Sequence, residues 1–427
     1  MKKVNFLIIG GSAAGTTAAD AIRNLLPEAS IAIVTDEDHE QYSRVLLPNY
    51  IRHQITREQM FLKKPEWYSE RKIELIRGVK AVGLASKSKR VKVSDGNEIE
   101  YGKLLICVGG YVVPLNVPGA DAEGVFYMRT VEDGDEIIEK SKDAKKAVII
   151  GGGFVGLEFS SCFKMNGIEE VTTLVRGDYY WSKKLDEESS KVVVSTLSKN
   201  GVSVKTDEDA DHIETKDGKV KAVVTKSGNR YEADVIGVGI GIKSDFSWLA
   251  DSGIEIKAGI DTNEYLETNL PDVYAAGDCA EFYDPVFERK HLVGNWTNAT
   301  SQGSTVGKTM AHSASSGQAG QRTKFETASS YSINFFSPPE NGTCSFIGVT
   351  DEDFADKILV RGSFNEGKVT KILIKKYNGI SRIVGATVVN HPPDVGPITM
   401  AVKNRVDIAS KLLDLEKPDF DLKLLVA

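Results

Sequence analysis

Paired cysteines are missing from this 427-residue chain. The four present, Cys107, Cys162, Cys279 and Cys344, are widely scattered and form neither a CxxC pair nor a metal-ligand spacing. That excludes a disulfide framework and a zinc site, and a reducing cytoplasm is the expected setting. No run approaches the roughly 18 apolar residues of a membrane helix. The opening MKKVNFLIIGG has a basic start, but its apolar run is only about six residues, which suits a buried strand rather than a signal peptide. A basic excess is also lacking: 60 acidic against 53 basic residues give a net charge of −7, with both signs interspersed. Nucleic acid and anionic membranes are thereby set aside as partners. What is present is a 41% hydrophobic content over a length that can bury a large core in about two to four domains.

The segment VNFLIIGGSAAGTTAADAIRNLL reads as an apolar strand, a glycine turn and a helix that opens with small residues. Gly10 permits the tight turn, and Gly15 lets helix and strand pack closely. Ser12 stands where the backbone would approach a pyrophosphate, a one-residue departure from GxGxxG. A second strand, SIAIVTDE, ends at Asp36, about 20 residues past Gly15, where an acid hydrogen-bonds an adenosine ribose.

The pattern recurs in KAVIIGGGFVGLEFSSCFKMNG, where Gly151, Gly153 and Gly156 form an unbroken GxGxxG before a helix. The strand that follows ends in Arg176 instead of an acid. A guanidinium there can clamp the 2′-phosphate of NADP, and a solvent-facing arginine at a strand end is an equal alternative. Later, TNLPDVYAAGDCAEF reads as a strand ending in Ala-Gly-Asp, with Asp278 at its tip, and YEADVIGVGIGIKSDF before it reads as a buried strand with a glycine-rich exit.

In this order the motifs resemble the two-dinucleotide flavoproteins of the pyridine nucleotide-disulfide oxidoreductase superfamily, over about residues 3 to 312. The resemblance implies an α/β fold in which an FAD-binding Rossmann-like domain (1–114 and 244–318) is interrupted by an inserted NAD(P)-binding Rossmann-like domain (115–243). A C-terminal α+β domain (325–427) would serve dimerisation or partner docking. It implies that Asp278 binds the ribityl chain of FAD, and that the helix beginning near Trp296, Thr297 and Asn298 directs its positive end at the flavin. Gly11, Ala14, Glu37, Val82, Gly109 and Gly241 join the residues expected to bind cofactor. Cys107 stands in an apolar strand, at a position where relatives usually read ATG, and is expected to be a small buried hydrophobe.

The loop YSRVLLPNY at 42–50 bears on where electrons go. Thiol-using relatives carry a redox cysteine here in a pattern like SxCxxxP, and Val45 stands at the cysteine position. Valine forms no sulfenic acid or mixed disulfide. The loop instead resembles the thiol-less branch, with YxRxxL, found in the flavin domain of NADH-dependent nitrite reductase, in rubredoxin reductases and in ferredoxin reductases. Arg44 would then lie along the FAD phosphates or ribityl chain. Glu158, after the second glycine motif, is the candidate catalytic residue, orienting the nicotinamide. Relatives often pair that glutamate with a lysine at a position held here by Asn49.

The expected chemistry is hydride transfer between NAD(H) or NADP(H) and FAD, followed by exchange of electrons with an iron–sulfur or other redox protein. The chain would act as a homodimer or as a subunit of a larger redox complex. An NAD(P)H oxidase making peroxide and a non-catalytic flavoprotein are the alternatives. Beyond residue 320, SSGQAGQR reads as a linker, and ILVRGSFNEGKVTKILIKKYNGISRIVGATVVN reads as an antiparallel meander with Asn-Glu-Gly and Asn-Gly turns. The closing PITMAVKNRVDIASKLLDL is helical in period. His391 is expected to be structural, and the YYW cluster at 179–181 suits a docking patch, an adenine shelf or packing.

Overall fold

The computed structural model describes residues 1–284, 287–314, 322–326 and 330–426. The chain divides into two compact units, the first comprising 1–45, 57–111 and 243–327, the second 46–56, 112–242 and 328–427.

The first unit is built on a seven-stranded sheet. Strand Lys2–Ile9 lies parallel between Ile31–Val34 and Glu98–Ile106, and Val273–Ala275 adds a further parallel partner to Glu98–Ile106. All four residues of Ile31–Val34 are buried, as expected of a parallel sheet covered on both faces. Helix Ala13–Leu25 packs against helix Trp296–Ala314 at very short range. A Cβ on Gly303 would lie 2.3 Å from the Ala14 carbonyl oxygen, and one on Gly307 would lie 2.7 Å from that of Ala18. Small residues on both helices therefore set the separation, and Ile8, Ile22, Val306 and Met310 fill the core around them. Buried Arg23 closes the end of Ala13–Leu25 by donating to carbonyls of Leu26, Pro27, Ala29, Arg71 and Lys72.

The second unit carries a parallel five-stranded sheet in the order Val202–Lys205, Glu170–Leu174, Lys146–Ile150, Val235–Val238, Val125–Phe126. Helix Phe154–Met165 follows the strand Lys146–Ile150. A separate antiparallel sheet runs Ser330–Phe335, Gly342–Gly348, Ile380–Val389, Lys368–Tyr377, Lys357–Ser363. The expected Asn-Gly turn joins its two longest strands, with Asn378 at φ +38° and Gly379 at φ +92°. Buried Lys371 of this sheet pairs with Glu352 and, at 3.0 Å, with Asp186, which also caps helix Glu187–Lys199 by accepting from the Ser189 N–H.

One expectation looks different in three dimensions. The C-terminal helical pattern is broken into Val395–Lys403 and the short Leu412–Leu415, with Arg405 at φ +51° between them. Within YYW, Tyr180 and Trp181 are buried, and Trp181 packs on Phe154 and Phe346, so this cluster is core. Residues 315–321 of the linker lie outside the described residues. His391 contacts Asp394 at 3.1 Å, and Asp394 also accepts from the Thr370 hydroxyl at 2.7 Å, a local structural network.

Candidate active site

In the first unit the glycine turn is sterically obligatory. A Cβ on Gly10, whose φ is +117°, would lie 2.2 Å from the Cys107 carbonyl oxygen, and one on Gly15 would lie 2.0 Å from the Gly10 oxygen. Gly11 backs on Thr35, where a Cβ would approach to 3.1 Å. Ser12 makes no side-chain bond to the helix it begins, and that first turn carries no acid, so its N–H groups stay available to an anion. Asp36, just beyond the strand Ile31–Val34, accepts from the Tyr111 hydroxyl at 2.7 Å, and both residues line a cavity that reaches Gly10. Burial, then the bond to Asp36, pushes the Tyr111 phenol up. Val79, Lys80 and Ala81 form part of the same wall. Val82, exposed on the strand Ala81–Ala85, is not among the lining residues, because alternate strand residues face opposite ways.

Arg44 is largely buried. It is paired with Glu37 and stands over the Tyr42 ring, whose hydroxyl donates to Glu37 at 2.6 Å. Gly109, at φ +64°, accepts from the Ser244 hydroxyl at 2.6 Å. Asp278 sits in the turn Gly277–Cys279, and the missing side chain of Gly294 leaves it room, since a Cβ there would stand 3.5 Å from its carboxyl carbon. Thr297 is exposed; Asn298 is buried, with Nδ2 donating to the Val293 oxygen at 2.9 Å. Val45 at the cysteine position is 57% exposed.

In the second unit, a Cβ on Gly151 (φ +123°) would meet the Gly239 oxygen at 2.4 Å, and one on Gly156 would meet the Gly151 oxygen at 2.0 Å. Gly153, by contrast, faces open space. The first two close the turn, and the third clears the way to the start of helix Phe154–Met165. Tyr180 supports the turn from below, its hydroxyl 3.4 Å from the Gly153 oxygen. Gly241 has φ +121° and lies exposed in the segment after Val235–Val238. Arg176 is exposed and makes no ion pair among the described residues.

Glu158 is partly buried one turn into that helix, and burial pushes its carboxyl up to about 8 against the opposing attraction of Arg52. Arg52 ends the short helix Leu47–Ile51 and donates to the Ser161 hydroxyl at 2.6 Å, and Ser161 in turn donates to the Glu158 backbone oxygen. Asn49 is turned to Gln54 at 2.8 Å. The cation acting on Glu158 therefore stands at Arg52, three residues beyond Asn49. The signal was available in the sequence, since residues 49 and 52 are one helical turn apart.

Residues 4–303 match the family model of the pyridine nucleotide-disulphide oxidoreductases. The chain belongs to that family. It is 30% identical over 308 residues to a nitrite reductase [NAD(P)H] of Bacillus subtilis, covering 69% of this chain but only 38% of that protein. It is 29% identical over 434 residues to a rhodocoxin reductase of Rhodococcus erythropolis, covering 99% and 95% of the two chains. A ferredoxin reductase structure from Rhodopseudomonas palustris superposes with a TM-score of 0.87 at 25% identity, covering 99% and 100%. As a member of this family the protein is an NAD(P)H oxidoreductase that uses FAD, and the interrupted α/β architecture is the family's own.

The residues present fit FAD. The first glycine turn offers free N–H groups to a pyrophosphate. Two enclosed polar atoms of helix Trp296–Ala314, which packs against that turn's helix, Asn298 Oδ1 and Gln302 Nε2, have no hydrogen-bond partner among the described residues. Family membership also sharpens the meaning of the four cysteines. All are free and buried, and burial raises every thiol, Cys279 and Cys344 to about 12.

Proposed function

We propose that the protein moves electrons between NADPH or NADH and a one-electron redox protein carrying an iron–sulfur centre, with FAD as the relay. The observation that carries this reading is the exposed Val45 at the position of the family's redox thiol, in a chain whose cysteines are all buried with raised thiols. No sulfur is available to take up an electron pair, so a direct one-electron outlet remains. Bound FAD supplies the step from two-electron to one-electron chemistry. The protein's own residues bind and align. Gly10, Gly11, Ser12, Ala14 and Gly15 receive the FAD pyrophosphate, Asp36 its ribose and Asp278 its ribityl chain. Gly151, Gly153 and Gly156 receive the nicotinamide nucleotide, and Glu158, held by Arg52, orients the nicotinamide.

The match to a rhodocoxin reductase along 99% of this chain supports a reductase acting on a redox partner. Within this reading the first unit is the FAD domain, and the insert 115–243 is the nicotinamide domain. Arg176, exposed and without an ion pair among the described residues, favours NADPH, because a guanidinium binds a 2′-phosphate well. Arg44, locked to Glu37 and Tyr42, shapes the FAD edge through those two side chains. No described helix is long and apolar enough to cross a membrane, and the unpaired cysteines suit the cytoplasm.

The test is anaerobic stopped-flow mixing of the yellow protein with NADPH and then NADH, followed by addition of iron–sulfur proteins or of oxygen. Rapid bleaching of the flavin, with fast reoxidation by an iron–sulfur protein and slow reoxidation by oxygen, is expected. Fast turnover with oxygen alone would make the protein an oxidase, and absence of bleaching would overturn the reductase reading.

A further inference from the structure

Helix Trp296–Ala314 carries a glutamine that no motif singled out. Gln302 is wholly buried, with none of its surface exposed. Its Oε1 accepts from the Gly277 N–H at 2.6 Å, which fixes which end of the amide faces the turn before Asp278. The other end, Nε2, has no partner among the described residues. A buried amide N–H₂ without an acceptor is costly, and a fold keeps one where something else accepts from it.

The surroundings name that acceptor. Next along the helix, Gly303 lies against the Ala14 carbonyl, and Gly277 lies beside the Ala14 side chain. The amide thus stands where the turn Gly277–Cys279 meets the first turn of helix Ala13–Leu25, the part of the glycine cradle that receives the oxygen-rich middle of FAD. Asn298, one helical turn earlier and also buried, presents an acceptor, Oδ1, with no partner among the described residues.

We propose that Gln302 is an FAD-binding residue whose Nε2 donates to the pyrophosphate or ribityl oxygens of the cofactor. The proposal rests on the reading of the first unit as the FAD site. Through Oε1 the same side chain holds the Gly277 turn, so one residue couples the position of Asp278 to the presence of the cofactor.

The experiment titrates FAD into the deflavinated full-length protein, following flavin fluorescence, alongside the melting temperature of the FAD-free form. Gln302→Glu keeps an acceptor for Gly277 and loses the donor; Gln302→Lys keeps a donor and loses the acceptor. A donor to FAD predicts about ten- to a hundredfold weaker FAD binding by Q302E, the size expected for one hydrogen bond to a charged group, and tighter binding by Q302K than by Q302E. FAD affinity of Q302E within about twofold of the parent, or the reverse order of the two variants, would overturn the proposal and leave Gln302 a purely structural tie. Should either charged variant fail to fold, Gln302→Met must lose at least tenfold in FAD affinity, and binding within twofold would likewise refute the assignment. Failure of the parent itself to take up FAD would sink the cofactor reading together with this one.

Discussion

Replacing Arg52 by methionine removes the cation that opposes the burial of Glu158. Ser161, to which Arg52 is bonded, lies three residues beyond Glu158 on the same helix, and residues so spaced stand about 5–6 Å apart. Two unit charges at about 6 Å in an effective dielectric of about 20 interact by roughly 3 kcal/mol, and solvent at a partly exposed site cuts this to about 1–1.5 kcal/mol. That is about one pKa unit. The Glu158 carboxyl, held at about 8 with Arg52 in place, is therefore expected to titrate roughly one unit higher in R52M, while R52K keeps the parent value. The assay is the rate of anaerobic flavin reduction by nicotinamide nucleotide between pH 6 and 10. The inflection attributed to Glu158 should move upward in R52M and return in R52K. Superimposable profiles for R52M and the parent would refute the electrostatic link.

Glu158 also shapes stability. Its ordinary carboxyl value is 4.5, and the folded value is about 8. Between those values the folded state holds the proton and the unfolded state has released it, so stability falls as pH rises and levels off above 8. Gln in its place should flatten that fall, as read from melting temperatures between pH 4.5 and 8; an unchanged slope would contradict the assignment. R176A should raise the KM for NADPH about tenfold with little effect on NADH, the size expected for losing a charge-assisted contact to phosphate; equal effects on both nucleotides would return Arg176 to the solvent-facing alternative. Ala at Gly153, which faces open space, should leave the melting temperature unchanged and weaken nicotinamide nucleotide binding in steady-state kinetics. Ala at Gly303 must instead push helix Trp296–Ala314 from helix Ala13–Leu25, with a loss of about 1–3 kcal/mol in denaturant unfolding. Equal stabilities for the two alanine variants would refute this contrast.

Much of this was legible in the chain because glycine turns are local. Gly10, Gly15, Gly151 and Gly156 occupy positions where a Cβ collides with backbone a few residues or one strand away, and that constraint writes itself into a short motif. Asn378 and Gly379 are readable for the same reason. Side chains whose roles depend on a distant partner were harder to read. Arg52 is defined by a helix 109 residues further on, and Gln302 by a turn 25 residues earlier. The pairing of Arg44 with Glu37, seven residues away, depends on the shape of the intervening loop, which no local pattern specifies. The continuous helical period after Pro397 misled because periodicity does not register Arg405 in the left-handed region.

The eleven residues 46–56 are drawn from within the N-terminal part of the chain yet belong to the second unit, where the Tyr50 hydroxyl donates to Asp135 at 2.6 Å and the Leu47 side chain closes on Gly134. For anyone recombining such reductases, cuts near 115 and 243 alone therefore fall in the wrong places. A chimera that exchanged 115–243 alone would confront a foreign helix with Leu47, Tyr50 and Arg52 and would inherit a mismatched neighbour for its Glu158, whereas a transplant carrying 46–56 along would move helix Phe154–Met165 together with its own tuning cation.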